Sequence, residues 1–212
     1  MSISRSALAL ALLLAIAPAA ASAQAVEWGG KAGLNRATWG GSGIVTAEAR
    51  LGLIAGAFAS IYLHPLFAVQ PEVLYSMKGS VFEGGGERLT MEQDFLEIPI
   101  LAKLGIPLEG GGSLRPSIFA GPALGFELKC DAVLDSESPM TRPCEDPELA
   151  GVPTPDWDLG LLFGLEARFA LRSLNVGIEA RYNLGLTDID DREDSITEVK
   201  TRTFSFMGSL AF

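Results

Sequence analysis

Few residues in this 212-residue chain could do chemistry: two cysteines, one histidine, and carboxylates and cations spread along its length. Cys130 and Cys144 bracket a proline-rich stretch. In an exported chain a disulfide is their natural product, and closing a ring of that size contributes about 3 kcal/mol in the chain-entropy account. A redox or metal-binding thiol pair is not supported by the spacing. The run Asp188-Ile189-Asp190-Asp191-Arg192-Glu193-Asp194 is acidic enough for calcium but lacks the glycine and distal glutamate of an EF-hand, so it reads as a solvated, self-repelling loop. His64 stands beside Pro65 in an expected short turn, with no Ser-His-Asp set to join. Gly84-Gly85-Gly86 and Gly110-Gly111-Gly112 do not link a strand to a helix, so neither is a phosphate loop. No catalytic residue, metal ligand or cofactor is expected.

The remaining charges recur at every second position, on the polar side of segments whose other side is apolar. Strict alternation marks a strand with two unlike faces. Val26 to about Thr38 is the first such segment. Others set Leu51, Leu53, Ala55, Ala57, Ala59 and Ile61 against Arg50, Gly52, Gly56 and Ser60, with Ile54 and Phe58 on that otherwise polar side. Phe67 to Met77 opposes Gln70, Glu72, Ser76 and Lys78, and Leu96 to Leu104 faces away from Gln93, Glu97 and Lys103. Leu114 to Leu128, Trp157 to Phe169, Leu174 to Leu186 and Phe204 to Phe212 complete eight strands. Each is near or above the ~9–11 residues that a tilted strand needs to cross a bilayer. Short links at Leu63–Leu66, Ile106–Ser113 and Ala170–Ser173 alternate with long polar loops at Trp39–Ala47, Ser80–Glu92, Cys130–Pro155 and Asp188–Val199. The expected fold is all-β: an eight-stranded antiparallel up-and-down transmembrane β-barrel.

The first segment supports export. Arg5 is its only charge, an apolar run follows, and small residues surround Ala21-Ser22-Ala23 and Ala23-Gln24-Ala25. Residues 1–23 are therefore expected to be a signal peptide, cleaved after Ala23 or Ala25, and residues 24–212 the barrel. No later apolar run is long enough for a spanning helix. The formal charge of −10 argues against nucleic acid as a main partner.

Alternation alone leaves two barrels open: one in a membrane, or a soluble lipocalin-like carrier of apolar ligands. The membrane reading is favoured because the apolar face carries no charge in its central stretches, where Arg or Lys would cost about 2–4 kcal/mol. Trp28, Tyr75, Phe126, Trp157, Phe169, Tyr182, Phe204 and Phe212 lie on that face, many near strand ends, as interfacial girdles do. The lumen would then hold a charge network in which Lys31, Arg50, Lys78, Lys103, Arg115, Arg168 and Arg181 pair with Glu72, Glu97, Glu127, Glu166 and Glu179.

Five blocks carry a resemblance: Gly30 to Asn35, Gln70 to Gly79, Phe95 to Lys103, Ala120 to Phe126 and Arg181 to Thr187. In this order they resemble the outer membrane β-barrel domain family of porin-like small proteins. Phe204, Phe206, Leu210 and Phe212 likewise resemble the C-terminal signal read by the barrel-assembly machinery. The resemblance implies a bacterial outer-membrane location and brings no catalytic residues with it. Its cysteine-bearing loop has no match in the family pattern. The expected function is a non-enzymatic barrel presenting surface loops, with a small-solute pore as the alternative. Expected partners are outer-membrane lipid, lipopolysaccharide and the assembly machinery, and the expected state is a monomer.

Overall fold

A computed structural model describes residues 25–41, 47–84, 86–108, 113–136, 139–144, 146, 155–171, 173–188 and 199–212. The expected signal peptide, the acidic run from 189 to 194 and the glycines at 110–112 lie outside them. Nine strands are present among the described residues: β1 (Val26–Gly41), β2 (Ala47–His64), β3 (Phe67–Gly84), β4 (Glu87–Gly105), β5 (Leu114–Asp135), β6 (Met140–Pro143), β7 (Trp157–Leu171), β8 (Leu174–Gly185) and β9 (Val199–Ala211).

Eight of them form a closed antiparallel ring. The sheet runs β4-β3-β2-β1-β9-β8-β7-β5, and β4 pairs with β5 to close it. The seam between first and last strands is set by Gly29 opposite Ala211 through Gly41 opposite Val199. Phe212 N donates to Trp28 O at 2.9 Å, so pairing continues to the chain end. Closure removes both free edges, as a strand structure in hydrocarbon requires. The strand ends His64, Gly105, Leu114, Leu171 and Leu174 lie at the same end of the ring as Val26 and Ala211. At the first of these, His64 Nδ1 accepts from the Leu66 backbone N–H at 3.2 Å.

The pleat sorts side chains by parity. In β9, Thr201, Thr203, Ser205, Met207, Ser209 and Ala211 are buried, while Arg202, Phe204, Phe206, Gly208 and Leu210 are exposed. Around the ring, Trp28, Leu53, Ile100, Leu165 and Phe206 point outward, whereas Lys31, Glu72, Lys103, Glu179 and Arg181 are buried. A soluble carrier has the opposite polarity, so that alternative is set aside.

Two expected loops prove to be partly strand among the described residues. Residues 80–92 do not form a long loop: β3 and β4 continue until Gly84 faces Glu87. Cys130 likewise lies within β5, which pairs with β4 as far as Asp135 and with β6 on its other side. Alternation fades there because a sheet standing above the hydrocarbon needs no apolar outer face. The strand changes its facing at Gly79, whose φ of +138° suits glycine, and Lys78 through Val81 are all buried. A Cβ at Gly79 would sit 1.9 Å from Met91 O.

Gly79→Val should therefore cost roughly 1–3 kcal/mol and lower the refolded fraction, measured as the heat-modifiable band on unboiled gels. An unchanged refolded fraction and unfolding midpoint would contradict this account of the turn in β3.

Candidate functional site

Among the described residues the lumen holds a dense set of polar contacts, arranged in levels along the axis. At the short-turn end Arg168 bonds Glu27, donates to Tyr62 Oη at 2.9 Å, and reaches Glu166 at 3.2 Å. Tyr62 in turn donates to Glu27 at 2.9 Å, and Asn175 also donates to that carboxylate. Next, Lys103 pairs with Glu166 and donates to Gln70 Oε1 at 2.9 Å. Ser60 donates to the same oxygen at 2.7 Å, and Gln70 Nε2 passes the chain on to Glu72 at 2.6 Å.

The central level is a four-cornered ion cluster. Lys31 Nζ is 2.7 Å from Glu72 Oε1 and 2.8 Å from Glu179 Oε2. Arg181 spans the same two carboxylates, with Nη1 2.9 Å from Glu72 Oε2 and Nε 2.5 Å from Glu179 Oε1. All four side chains are at most 1% exposed. Two cations face two anions, so the cluster is neutral. Such compensation is necessary because an unpaired charge in this environment costs several kcal/mol.

Apolar rings sit among the charges. Phe58 lies 4.8 Å from Lys31 Nζ, Phe95 4.9 Å from Lys78 Nζ, and Phe119 6.0 Å from the Arg181 guanidinium carbon. These are cation–π distances. Ile54, Leu74 and Met207 form one buried cluster; Leu101, Phe119, Ala123 and Leu162 form another. Above them Asn35 donates to Ser76 at 2.8 Å and accepts from Ser205 at 2.7 Å. Lys78 then lies 2.5 Å from Glu97 and 3.9 Å from Asp158, whose carboxylate accepts from Thr201 at 2.8 Å.

Toward the long-loop end Trp39, Met91, Ala132, Cys144 and Val199 form a buried apolar cluster, with Phe82, Leu89 and Cys130 packed against them. Trp39 Nε1 donates to Gln93 at 3.1 Å, and Gln93 donates to Glu127 at 2.7 Å. Cys130 and Cys144 form a disulfide, with Cα atoms 5.5 Å apart, that fastens β6 to β5.

Three residues proposed from the sequence for the lumen network stand apart from its centre. Arg50 reaches upward to Glu92 at 2.8 Å and to Lys78 O at 2.7 Å. Glu127 meets Gln93, near the outer rim. Arg115 is exposed at the short-turn mouth, directly across from Arg168, where strand register rather than pairing places it. Other residues share the lumen without having been singled out by charge alternation: Glu27 and Asp158 join the polar contacts, and Leu74, Phe95, Leu101, Phe119, Leu162 and Met207 are buried inside. Strand parity identifies each of them; side-chain polarity conceals the apolar ones. Phe204, Phe206, Leu210 and Phe212 all point outward, each about half exposed or more.

The closed ring, its polar interior and its apolar exterior define an integral membrane barrel. Residues 20–191 match the family described as outer membrane protein beta-barrel domain. The chain belongs to that family and is a protein of the bacterial outer membrane. Among solved structures it is similar to a major outer membrane protein from Thermus thermophilus, at 13% identity and a TM-score of 0.50, covering 89% of this chain and all of that one. Neisserial surface protein A is also similar, at 13% identity and a TM-score of 0.49, covering 87% and 95%. Ail, the attachment invasion locus protein of Yersinia pestis, follows at 13% identity and 0.47, covering 88% and 98%. At these identities the likeness is one of fold. No curated protein matches the sequence.

Two outcomes follow from the site. Glu72→Gln leaves Lys31 and Arg181 sharing one carboxylate, so it should destabilise the refolded barrel by about 3–5 kcal/mol in denaturant titrations; a loss below ~1 kcal/mol would contradict the pairing. Replacing both Cys130 and Cys144 with Ser should leave the barrel folded but raise the protease cleavage rate of the β5–β6 rim about tenfold or more. Equal cleavage rates would show that the disulfide does not hold the rim.

Proposed function

We propose that this protein is a non-enzymatic outer-membrane barrel whose role is to hold a stiff, disulfide-tied rim at the cell surface, serving envelope structure or surface interaction. The supporting observation is the burial of the lumen's mid-section. There the four ion-cluster side chains are at most 1% exposed and Phe58, Phe95 and Phe119 are buried beside the charges, while an apolar cluster around Trp39 and Met91 lies toward the long-loop end. An eight-stranded ring is only wide enough for its own side chains, so bulk solute flow has no route. The stacked extensions of β3, β4, β5 and β6 raise ordered backbone beyond the apolar belt, where a surface partner meets it.

Enzymatic roles lack support from the chain's chemistry. Its single histidine, His64, is engaged with the Leu66 backbone in a turn at the short-turn end. The buried carboxylates Glu72, Glu97, Glu166 and Glu179 are each paired with a cation, which suits scaffolding more than proton transfer. The outward row Phe204, Phe206, Leu210 and Phe212 on the last strand is the surface we assign to the assembly machinery. With its exterior matched to lipid, the barrel is proposed to act as a monomer.

Planar-bilayer recording tests this reading. The refolded protein should give no steady openings, and a stable large conductance would replace it with the pore.

A further inference from the structure

One level of the lumen breaks the charge balance that the others keep. At the short-turn end Lys103 and Arg168 face Glu27 and Glu166, and at mid-height Lys31 and Arg181 face Glu72 and Glu179. Toward the long-loop end Lys78 alone meets two carboxylates, Glu97 at 2.5 Å and Asp158 at 3.9 Å. All three residues are at most 4% exposed. Arg50, which bonds Lys78 O, is taken by Glu92. Among the described residues this level therefore carries one negative charge in excess, in surroundings where an uncompensated charge is costly.

Beside that charge stand three oxygens with no hydrogen-bond partner: Asp158 Oδ1, Asn183 Oδ1 and Thr203 Oγ1. Their residues are all more than nine-tenths buried. Buried polar atoms are ordinarily bonded, so three in one neighbourhood call for an explanation. Their placement follows from a pair of glycines. Gly160 and Gly185 stand opposite each other on β7 and β8. Asp158 and Asn183 each lie two residues before one of these glycines, and so on the same face. A Cβ at Gly160 would collide with Asn183 Oδ1, and one at Gly185 with Thr201 Oγ1. Asn183 thus leans over Gly160 toward β7, while Thr201 leans over Gly185 and donates to Asp158 Oδ2 at 2.8 Å. Thr203 is directly opposite Asn183, yet the two make no bond to each other. These oxygens frame one recess in the wall of β7, β8 and β9. It stands one step above the Asn35–Ser205 bond and below the level of Trp39, which is opposite Thr201.

We infer that Asp158, Asn183 and Thr203 form a binding site for an alkali-metal cation inside the barrel. The donors are a carboxylate, an amide carbonyl and a hydroxyl, all of them oxygen, which suits a hard cation. A single positive charge cancels the single excess negative one, whereas a divalent ion would overshoot it. Among the described residues no three His, Cys, Asp or Glu side chains gather, which also argues against a transition metal. Water would bond the same oxygens but leave the charge in place. A cation gives Asp158 the counter-charge that Lys78, held closer by Glu97, supplies only in part. Lying within the wall, the ion steadies the barrel and is independent of any role of the rim.

The test uses the full barrel refolded in neutral detergent and unfolded in urea at fixed pH and ionic strength, with sodium chloride exchanged for choline chloride. Choline is too large for the recess and controls for screening. Sodium should raise the unfolding midpoint in a saturable way, as a ligand bound by the folded state alone does. Thr203→Val removes the hydroxyl with little change of shape, and should raise the half-saturating sodium concentration about tenfold or more. Asp158→Asn removes the excess charge, so it should abolish the sodium response while leaving the barrel at least as stable in choline. A midpoint in the unaltered protein that ignores the exchange of sodium for choline would overturn the proposal without any variant. An unchanged sodium response in the folded Thr203→Val or Asp158→Asn protein would overturn it as well. A response to calcium and none to sodium would reassign the recess to divalent ions and overturn the alkali-metal site.

Discussion

A ring of eight strands encloses a space that side chains alone can fill, so charges placed inside it have little water to lean on. Each must find an opposite charge or a hydrogen bond. The cluster of Lys31, Glu72, Glu179 and Arg181 meets that demand with two cations and two anions contributed by β1, β3 and β8. Because its members come from strands far apart in the chain, the cluster ties the register of the ring to its electrostatics. A slip of one residue in β8 would turn Glu179 and Arg181 toward lipid. The same step would expose the barrel exterior to a charge cost it is built to avoid.

The apolar groups in the lumen follow from the same limit. Filling every inward position with ions would require complete pairing in a confined geometry. Phe58, Phe95 and Phe119 instead occupy space while offering their faces to Lys31, Lys78 and Arg181. At the long-loop end the requirement relaxes, and the buried cluster of Trp39, Met91, Ala132, Cys144 and Val199 resembles an ordinary protein core. There the disulfide joins a rim that stands beyond the membrane and draws no stability from lipid.

Much of this was legible from a period of two. Eight strands and the side facing lipid are both consequences of a solvent that differs on the two faces. The upper reaches of β3, β4 and β5 were not legible, because outside the hydrocarbon the sequence has no reason to alternate; Ser80–Glu92 therefore read as a loop. In the lumen, the identities of many charged residues were visible but their partners were not. Pairing such as Lys31 with Glu179 depends on how far neighbouring strands are staggered, which no single strand encodes. Arg50, Glu127 and Arg115 share the parity of the network yet sit at heights where other partners, or none among the described residues, are in reach. Leu74 and Leu162 were passed over because an apolar residue on a polar face carries no chemical signal.

The central claim is that the apolar face meets lipid and the ionic face is shut within. Spin labels attached at Leu53, Leu165 and Phe206 on the outside, and at Ser76 and Ser205 on the inside, address it directly in liposome-embedded protein. Outer labels should be relaxed strongly by oxygen, which dissolves in hydrocarbon, and weakly by a water-soluble nickel chelate; inner labels should be shielded from both. Outer labels relaxed mainly by the chelate would contradict the account.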